Sequence, residues 1–232
     1  MKIKLFFMAL TPFVITLKYL LLSYIYPKKI TELKQKWAQS VLDYLGFKLV
    51  LHGKPPEVGT PVICVGNHFS FLDILVLMAA HPHVVFLSKV EVKNWPIIGQ
   101  GAVRVGTLFV DRETRADRSL LRQKIGEELN EKRAHLVIFP SGTTTLDEAV
   151  GWKKGAFEIA KRSQVPVKLF KLSYVPFRES SYIDDDSIVG QTTKLLGIHN
   201  KSVTVSWLDQ YTIVQALEDA EKLRQININH KV

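Results

Sequence analysis

The residues with the clearest chemical potential lie in Val65-Gly66-Asn67-His68-Phe69-Ser70-Phe71-Leu72-Asp73, where an aspartate stands five positions after a histidine. The apolar run Val62 to Val65 reads as a strand and Phe71 to Ala80 as a helix. The histidine therefore falls on a strand-to-helix loop, with the aspartate about one helical turn beyond it. From there the carboxylate can take the imidazole N–H, fix the tautomer and leave the other ring nitrogen to accept a proton. That is a general-base dyad. The chain holds no G-x-S-x-G elbow, so the proton would come from a substrate hydroxyl rather than from an enzyme serine. Taken alone, the same spacing also describes a structural hydrogen-bonded pair, the commoner use of such neighbours.

Other reactive residue types fit blander roles. His81-Pro82-His83, with Asp73 nearby in sequence, lacks a third spaced ligand and reads as a surface turn rather than a metal site. Asp184-Asp185-Asp186 lacks the alternating spacing of a calcium loop and reads as a solvated loop or helix start. Cys64 falls inside an apolar strand, where a free cysteine packs as a small hydrophobe. A single cysteine forms no intrachain disulfide and no multi-thiolate zinc site, which points to a reducing compartment.

The elements that must position the dyad alternate along the chain. Strand patterns run over 47–51, 62–65, 84–87, 108–110, 136–139, 167–172 and 201–207. Helical patterns run over 71–80, 152–162 and 213–224, and a capping-box variant at Thr114-Arg115-Ala116-Asp117 opens one whose Leu121, Ile125 and Leu129 share a face. This is an α/β domain, a mostly parallel or mixed sheet flanked by helices. Such sheets place ligands at strand-to-helix junctions, where His68 falls.

Before residue 46 the pattern changes. Leu5 to Tyr26 carries one charge, Lys18, in 22 residues, which as a helix would match the hydrocarbon core of a bilayer. Pro12 and Lys18 interrupt it, so it could also bend back or lie in one leaflet. Lys28, Lys29, Lys34 and Lys36 come after it, which by the positive-inside tendency leaves the globular part in the cytoplasm. Leu33, Trp37, Val41 and Leu45 then recur every fourth residue up to the stop at Gly46. This amphipathic helix packs either on the domain core or at a lipid interface. Residues 1–45 are thus read as an N-terminal membrane-anchoring segment and 46–232 as one domain.

Composition agrees. With 47% hydrophobic and 10% aromatic residues the chain is not a disordered polymer. Its 31 Lys+Arg against 22 Asp+Glu give a net charge of +9, which calls for a negative partner: nucleic acid, anionic lipid or a phosphorylated substrate. Nucleic acid would not explain the apolar N-terminus, and no fingerprint of such domains occurs.

Four ordered blocks between about residues 60 and 210 resemble the glycerolipid acyltransferase family, which includes the enzymes that make phosphatidic acid. The first is N-H-x4-D at Asn67, His68 and Asp73, with Ser70 where the family often has serine. The second is Ser88-Lys89, then Trp95-Pro96-Ile97-Ile98-Gly99, then Gly106 to Arg112 ending in Asp111-Arg112. The third is Phe139-Pro140-Ser141-Gly142-Thr143-Thr144, similar to the family's F-P-E-G-T-R. The fourth is Val165-Pro166-Val167, preceded by Lys153-Lys154-Gly155-Ala156-Phe157.

The resemblance implies a single membrane-associated acyltransferase domain, in the inner membrane if bacterial. There His68 is the base, Asp73 its orienter, and the acceptor a lysophospholipid hydroxyl, most simply that of 1-acylglycerol-3-phosphate. Acyl-CoA or acyl-carrier protein would be the donor co-substrate, with neither metal nor cofactor. It also implies that Arg112 holds the acceptor's phosphate, for which a guanidinium fork is suited. Asn67, Ser70, Lys89, Ser141, Gly142, Thr143, Thr144 and Lys153 would complete the substrate site. The third block departs from the pattern, because Ser141 stands at the glutamate position and Thr144 at the arginine position. Fewer charges there imply reliance on Arg112, a different lyso-lipid, or loss of activity.

Overall fold

In the computed structural model, which describes residues 2–110, 118–183 and 187–231, the chain forms one mixed sheet with helices on both faces. The strands are β1 (Phe47–His52), β2 (Val62–Gly66), β3 (Val84–Lys89), β4 (Leu108–Val110), β5 (His135–Ile138), β6 (Val167–Val175) and β7 (Lys201–Tyr211). Their order across the sheet is β1-β7-β6-β2-β5-β3-β4. β6, β2, β5, β3 and β4 are mutually parallel, while β7 runs antiparallel to β6 and carries β1 parallel to itself.

The central position of β2 explains its sequence. A strand covered on both faces reads as a continuous apolar run instead of an alternation, and all five β2 residues are buried. Val62 and Cys64 join the core on one face, Ile63 and Val65 the core on the other. The first core lies under α2 (Ile30–Tyr44) and α3 (Leu72–Ala80); the second lies under α5 (Arg118–Lys132), α6 (Gly155–Ser163) and α9 (Ala216–Asn229). Burial pushes the Cys64 thiol far up from its ordinary value, as befits a packing residue.

The N-terminal segment forms a continuous helix through Pro12, α1 (Lys2–Ile25), packed along α2. Trp37 Nε1 donates to Thr16 Oγ1 at 3.0 Å, Tyr19 and Ser40 share a hydroxyl bond of 3.0 Å, and Tyr44 donates to the Met8 carbonyl at 2.7 Å. These pairings make α1 and α2 an antiparallel hairpin. Among the described residues, no helix is long and apolar enough to cross a membrane; α1 lies along α2. Its outer face is nonetheless apolar: Val14, Leu17, Leu21, Tyr24 and Ile25 are exposed.

Of the two placements open to this amphipathic helix, α2 takes the domain core. Its buried residues include Lys34, Ala38, Val41 and Leu42, so Lys34 points inward, and Trp37 faces α1. The helix is sandwiched between α1 and α3, and a single-stripe reading sees only one of two neighbours. Two short helices escaped the pattern, α4 (Ile98–Arg104) and α8 (Ile188–Leu196), as did the one-turn α7 (Phe177–Ser180). The capping variant at 114–117 and the acidic run at 184–186 lie outside the described residues.

Candidate active site

β2 ends at the sheet edge where the parallel strands terminate, and the chain there passes within contact distance of β6. A Cβ on Gly66 would come within 2.4 Å of the Phe170 carbonyl oxygen, so only glycine fits. The next residue continues the ladder with its side chain. Asn67 Nδ2 donates to the Leu172 carbonyl at 2.8 Å, and Asn67 Oδ1 accepts from the Leu172 N–H at 2.8 Å. Asn67, expected at the substrate, is thus 7% exposed and engaged at both ends of its amide. Its visible effect is to fix the loop that carries His68.

His68 Nδ1 lies 2.8 Å from Asp73 Oδ2. The same oxygen accepts the Phe69 N–H at 2.7 Å and the Ser70 N–H at 3.0 Å, and Asp73 Oδ1 accepts the Tyr174 hydroxyl at 2.6 Å. Because Oδ2 already receives two main-chain N–H groups, it acts toward the imidazole as an acceptor. The proton of neutral His68 therefore sits on Nδ1, and Nε2 carries the free lone pair. Asp73 is fully buried while the His68 side chain keeps 17% of its surface. The orienter is thus locked and the base reachable. The imidazole lies flat on the Phe139 ring, centroids 3.9 Å apart and planes 8° from parallel.

The local sequence builds this arrangement. Ser70 to Asp73 is a serine with an acid three residues later, the spacing of a helix-capping box. Ser70 Oγ accepts from the Leu72 N–H at 3.3 Å while the Asp73 carboxylate reaches back to the Ser70 N–H. Ser70 is fully buried, so it shapes the first turn of α3. Tyr174 comes from β6, one hundred and one residues beyond Asp73, and no local pattern pointed to it. Burial, and then the adjacent Asp73 charge, push its phenol well above its ordinary value, so it stays a donor.

The loop after β5 forms the other wall. Ser141 is 5% exposed, and its hydroxyl donates to the Thr143 carbonyl at 2.7 Å. Gly142 takes a left-handed φ of 76°, its N–H donating to the Phe139 carbonyl at 3.0 Å. A Cβ there would meet Lys153 Nζ at 2.5 Å, so the ammonium of Lys153 rests on this turn. Thr143 is exposed and Thr144 half-buried. The Thr145 N–H donates to the His68 carbonyl at 3.0 Å, joining the two loops. Asn67, His68, Ser141, Asp147, Glu148 and Trp152 line a small cleft between them. Glu148 pairs at 2.5 Å with Lys171, which is 5% exposed, and Arg224 of α9 donates to the Glu148 and Ala149 carbonyls at 3.3 and 2.9 Å. The C-terminal helix thereby holds the loop in place.

Lys89 closes β3 at the same sheet edge, and Arg112, expected to hold phosphate, lies outside the described residues. The structure thus brings His68, Asp73, Asn67, Ser70, Ser141, Gly142 and Lys153 into one neighbourhood. His81 is elsewhere: its Nε2 contacts His135 Nδ1 at 2.6 Å, and His135 Nε2 faces the Glu57 carbonyl at 3.1 Å.

A fixed base with an open nitrogen, set at the carboxyl edge of a mixed sheet, is the arrangement that the four blocks imply. The sequence model of the Acyltransferase family matches residues 48–168. The chain belongs to that family. Among its relatives, a lyso-ornithine lipid O-acyltransferase from Pseudomonas aeruginosa is 34% identical over 205 residues, 84% of this chain and 77% of that protein. A chloroplastic 1-acyl-sn-glycerol-3-phosphate acyltransferase from Brassica napus is 36% identical over 135 residues, 56% of this chain but 38% of its own length. The crystal structure of the 1-acyl-sn-glycerophosphate acyltransferase PlsC from Thermotoga maritima shares the fold, with a TM-score of 0.60, 16% identity, and coverage of 97% and 99% of the two chains. The protein is an acyltransferase.

Proposed function

We propose that this acyltransferase moves a fatty acyl group from acyl-CoA or acyl-carrier protein to the free hydroxyl of 1-acylglycerol-3-phosphate, giving phosphatidic acid. The observation that carries the chemistry is the 2.8 Å His68–Asp73 contact with Nε2 left open. Nε2 takes the acceptor's hydroxyl proton as its oxygen attacks the thioester carbonyl. The tetrahedral intermediate then collapses, the C–S bond breaks, and the imidazolium returns the proton to the departing thiolate. Asp73 stabilises the transient imidazolium and Tyr174 the carboxylate. The reaction balances with the thioester alone, without a metal or cofactor.

Lys153 at the Gly142 turn and Arg112 supply positive charge for a phosphate, and lysine offers a point charge where arginine would offer a fork. The acceptor and acidic donor both suit a protein of net charge +9. The apolar face of α1 would rest against the membrane that holds the acceptor, in the cytoplasmic leaflet.

A second acceptor is favoured by a different observation. Asp147 lines the cleft beside His68, where Glu148 is already neutralised by Lys171, and Thr144 replaces an arginine. Carboxylates repel a phosphate and attract an ammonium, as found in the amino-acid headgroup of a lyso-ornithine lipid, the acceptor named for the Pseudomonas relative. The test is acyl transfer by detergent-solubilised enzyme to both lysolipids at equal concentration. A higher kcat/KM on lysophosphatidate is expected; preference for lyso-ornithine lipid would transfer the assignment, and turnover of neither would overturn both.

A further inference from the structure

A cleft of about 290 Å³ opens at the opposite edge of the sheet from His68, lined by residues that lead into the parallel strands, Gly106 and Ala134 among them. Four basic side chains, Lys34, Arg104, Lys132 and Arg133, line it against a single carboxylate, Glu128. Charge of one sign gathered in a concavity raises the local concentration of an oppositely charged ligand.

Lys34 is the most unusual of the four. It is 6% exposed and donates to the Val84 carbonyl at 2.7 Å. No carboxylate among the described residues pairs with it, and burial lowers its ammonium to about 8. A buried ammonium that meets only a carbonyl on the protein side has donors left for an anion. Arg104 links the cleft to α1: its guanidinium donates to the Ser23 carbonyl and, at 3.3 Å, to Ser23 Oγ, and lies 4.5 Å over the Tyr24 ring. Lys132 pairs with Glu128 in an exposed contact that an incoming anion could replace cheaply.

The walls between these charges are apolar, with Ile30, Val105 and Leu129. Directly beyond Arg104, Leu21, Tyr24 and Ile25 of α1 are 56%, 56% and 64% exposed. A basic rim on apolar walls, continuous with an exposed apolar helix face, suits a phosphate joined to an apolar body. We propose that this cleft binds the phosphate headgroup of an anionic phospholipid, at a site separate from the catalytic centre. The shared chemistry is a phosphate; the apolar continuation along α1 selects the lipid over the free ion. Occupancy displaces nothing at His68, and the inference is independent of which lysolipid is the acceptor.

The test uses the full chain in neutral detergent micelles, titrated with dihexanoyl phosphatidylglycerol, dihexanoyl phosphatidylcholine and inorganic phosphate. The exposed pair Lys132→Gln/Arg133→Gln is compared with the distant exposed pair Lys222→Gln/Lys231→Gln. Phosphatidylglycerol is expected to bind saturably to the wild type and about tenfold or more weakly to the cleft variant, since each basic residue near a lipid surface contributes on the order of 1 kcal/mol. The distant pair should bind as wild type, and the cleft variant should keep its acyl-transfer rate on a micellar lysolipid. Equal losses in both pairs would mean diffuse surface charge and overturn the site, as would equal binding of phosphatidylcholine. Inorganic phosphate binding as tightly as the lipid would overturn the lipid assignment in favour of a free phosphate.

Discussion

At the scale of single residues, Asp73 organises the site. One carboxylate receives two main-chain N–H groups, an imidazole and a phenol, and this convergence turns a histidine on a loop into a base of defined tautomer. Tyr174→Phe removes the donor to Asp73 Oδ1 and leaves a buried carboxylate oxygen unpaired. A hydrogen bond to a charged group contributes about 1.5–3 kcal/mol, so the variant should lose about that much in a urea unfolding titration. Its kcat should fall with KM for both substrates unchanged, because the phenol acts through Asp73 and not on substrate. The dyad itself was legible from the His68 and Asp73 spacing. Tyr174 was not, because nothing local in a strand tells which distant carboxylate its hydroxyl will meet.

At the scale of elements, the sheet determines which loops meet. β2 and β5 are neighbours, so the loops carrying His68 and Ser141 face each other and join through Thr145. The strands were readable because buried parallel strands are continuous apolar runs. The burial of Lys34 in α2 was not legible, because tertiary neighbours, not periodicity, decide what the second face of a helix meets. The start of β5 carries a pH consequence. Burial first, then His135, His83 and Lys34, hold His81 down to about 4 from an ordinary value near 6.5. The unfolded chain therefore binds this proton between about pH 6.5 and 4 while the native state does not, and stability falls as pH drops through that window. The urea midpoint should decline more steeply there in the wild type than in His81→Gln, which retains a donor toward His135. Parallel declines would show that other groups govern acid stability.

At the scale of the molecule, the α1–α2 hairpin gives one side of the protein an apolar surface. The sequence showed the apolarity of residues 5–26 but not that the helix folds back along α2, which depends on pairings such as Trp37 with Thr16. If that surface rests on lipid, Leu17→Glu/Leu21→Glu removes two exposed leucines without touching the α2 contact. Each buried leucine is worth about 1.5–3 kcal/mol, so vesicle flotation should fall by about 100-fold or more while the circular dichroism spectrum is kept. Unchanged flotation would place the membrane contact elsewhere.

The central claim is that His68 removes the acceptor's proton, and single-turnover acyl transfer by wild type and His68→Ala tests it most directly. The half-buried imidazole can be removed without opening the core, so the variant should still fold and unfold in one cooperative urea transition yet transfer acyl groups about 10²- to 10⁴-fold more slowly. A folded His68→Ala enzyme that transfers acyl groups at the wild-type rate would contradict the assignment.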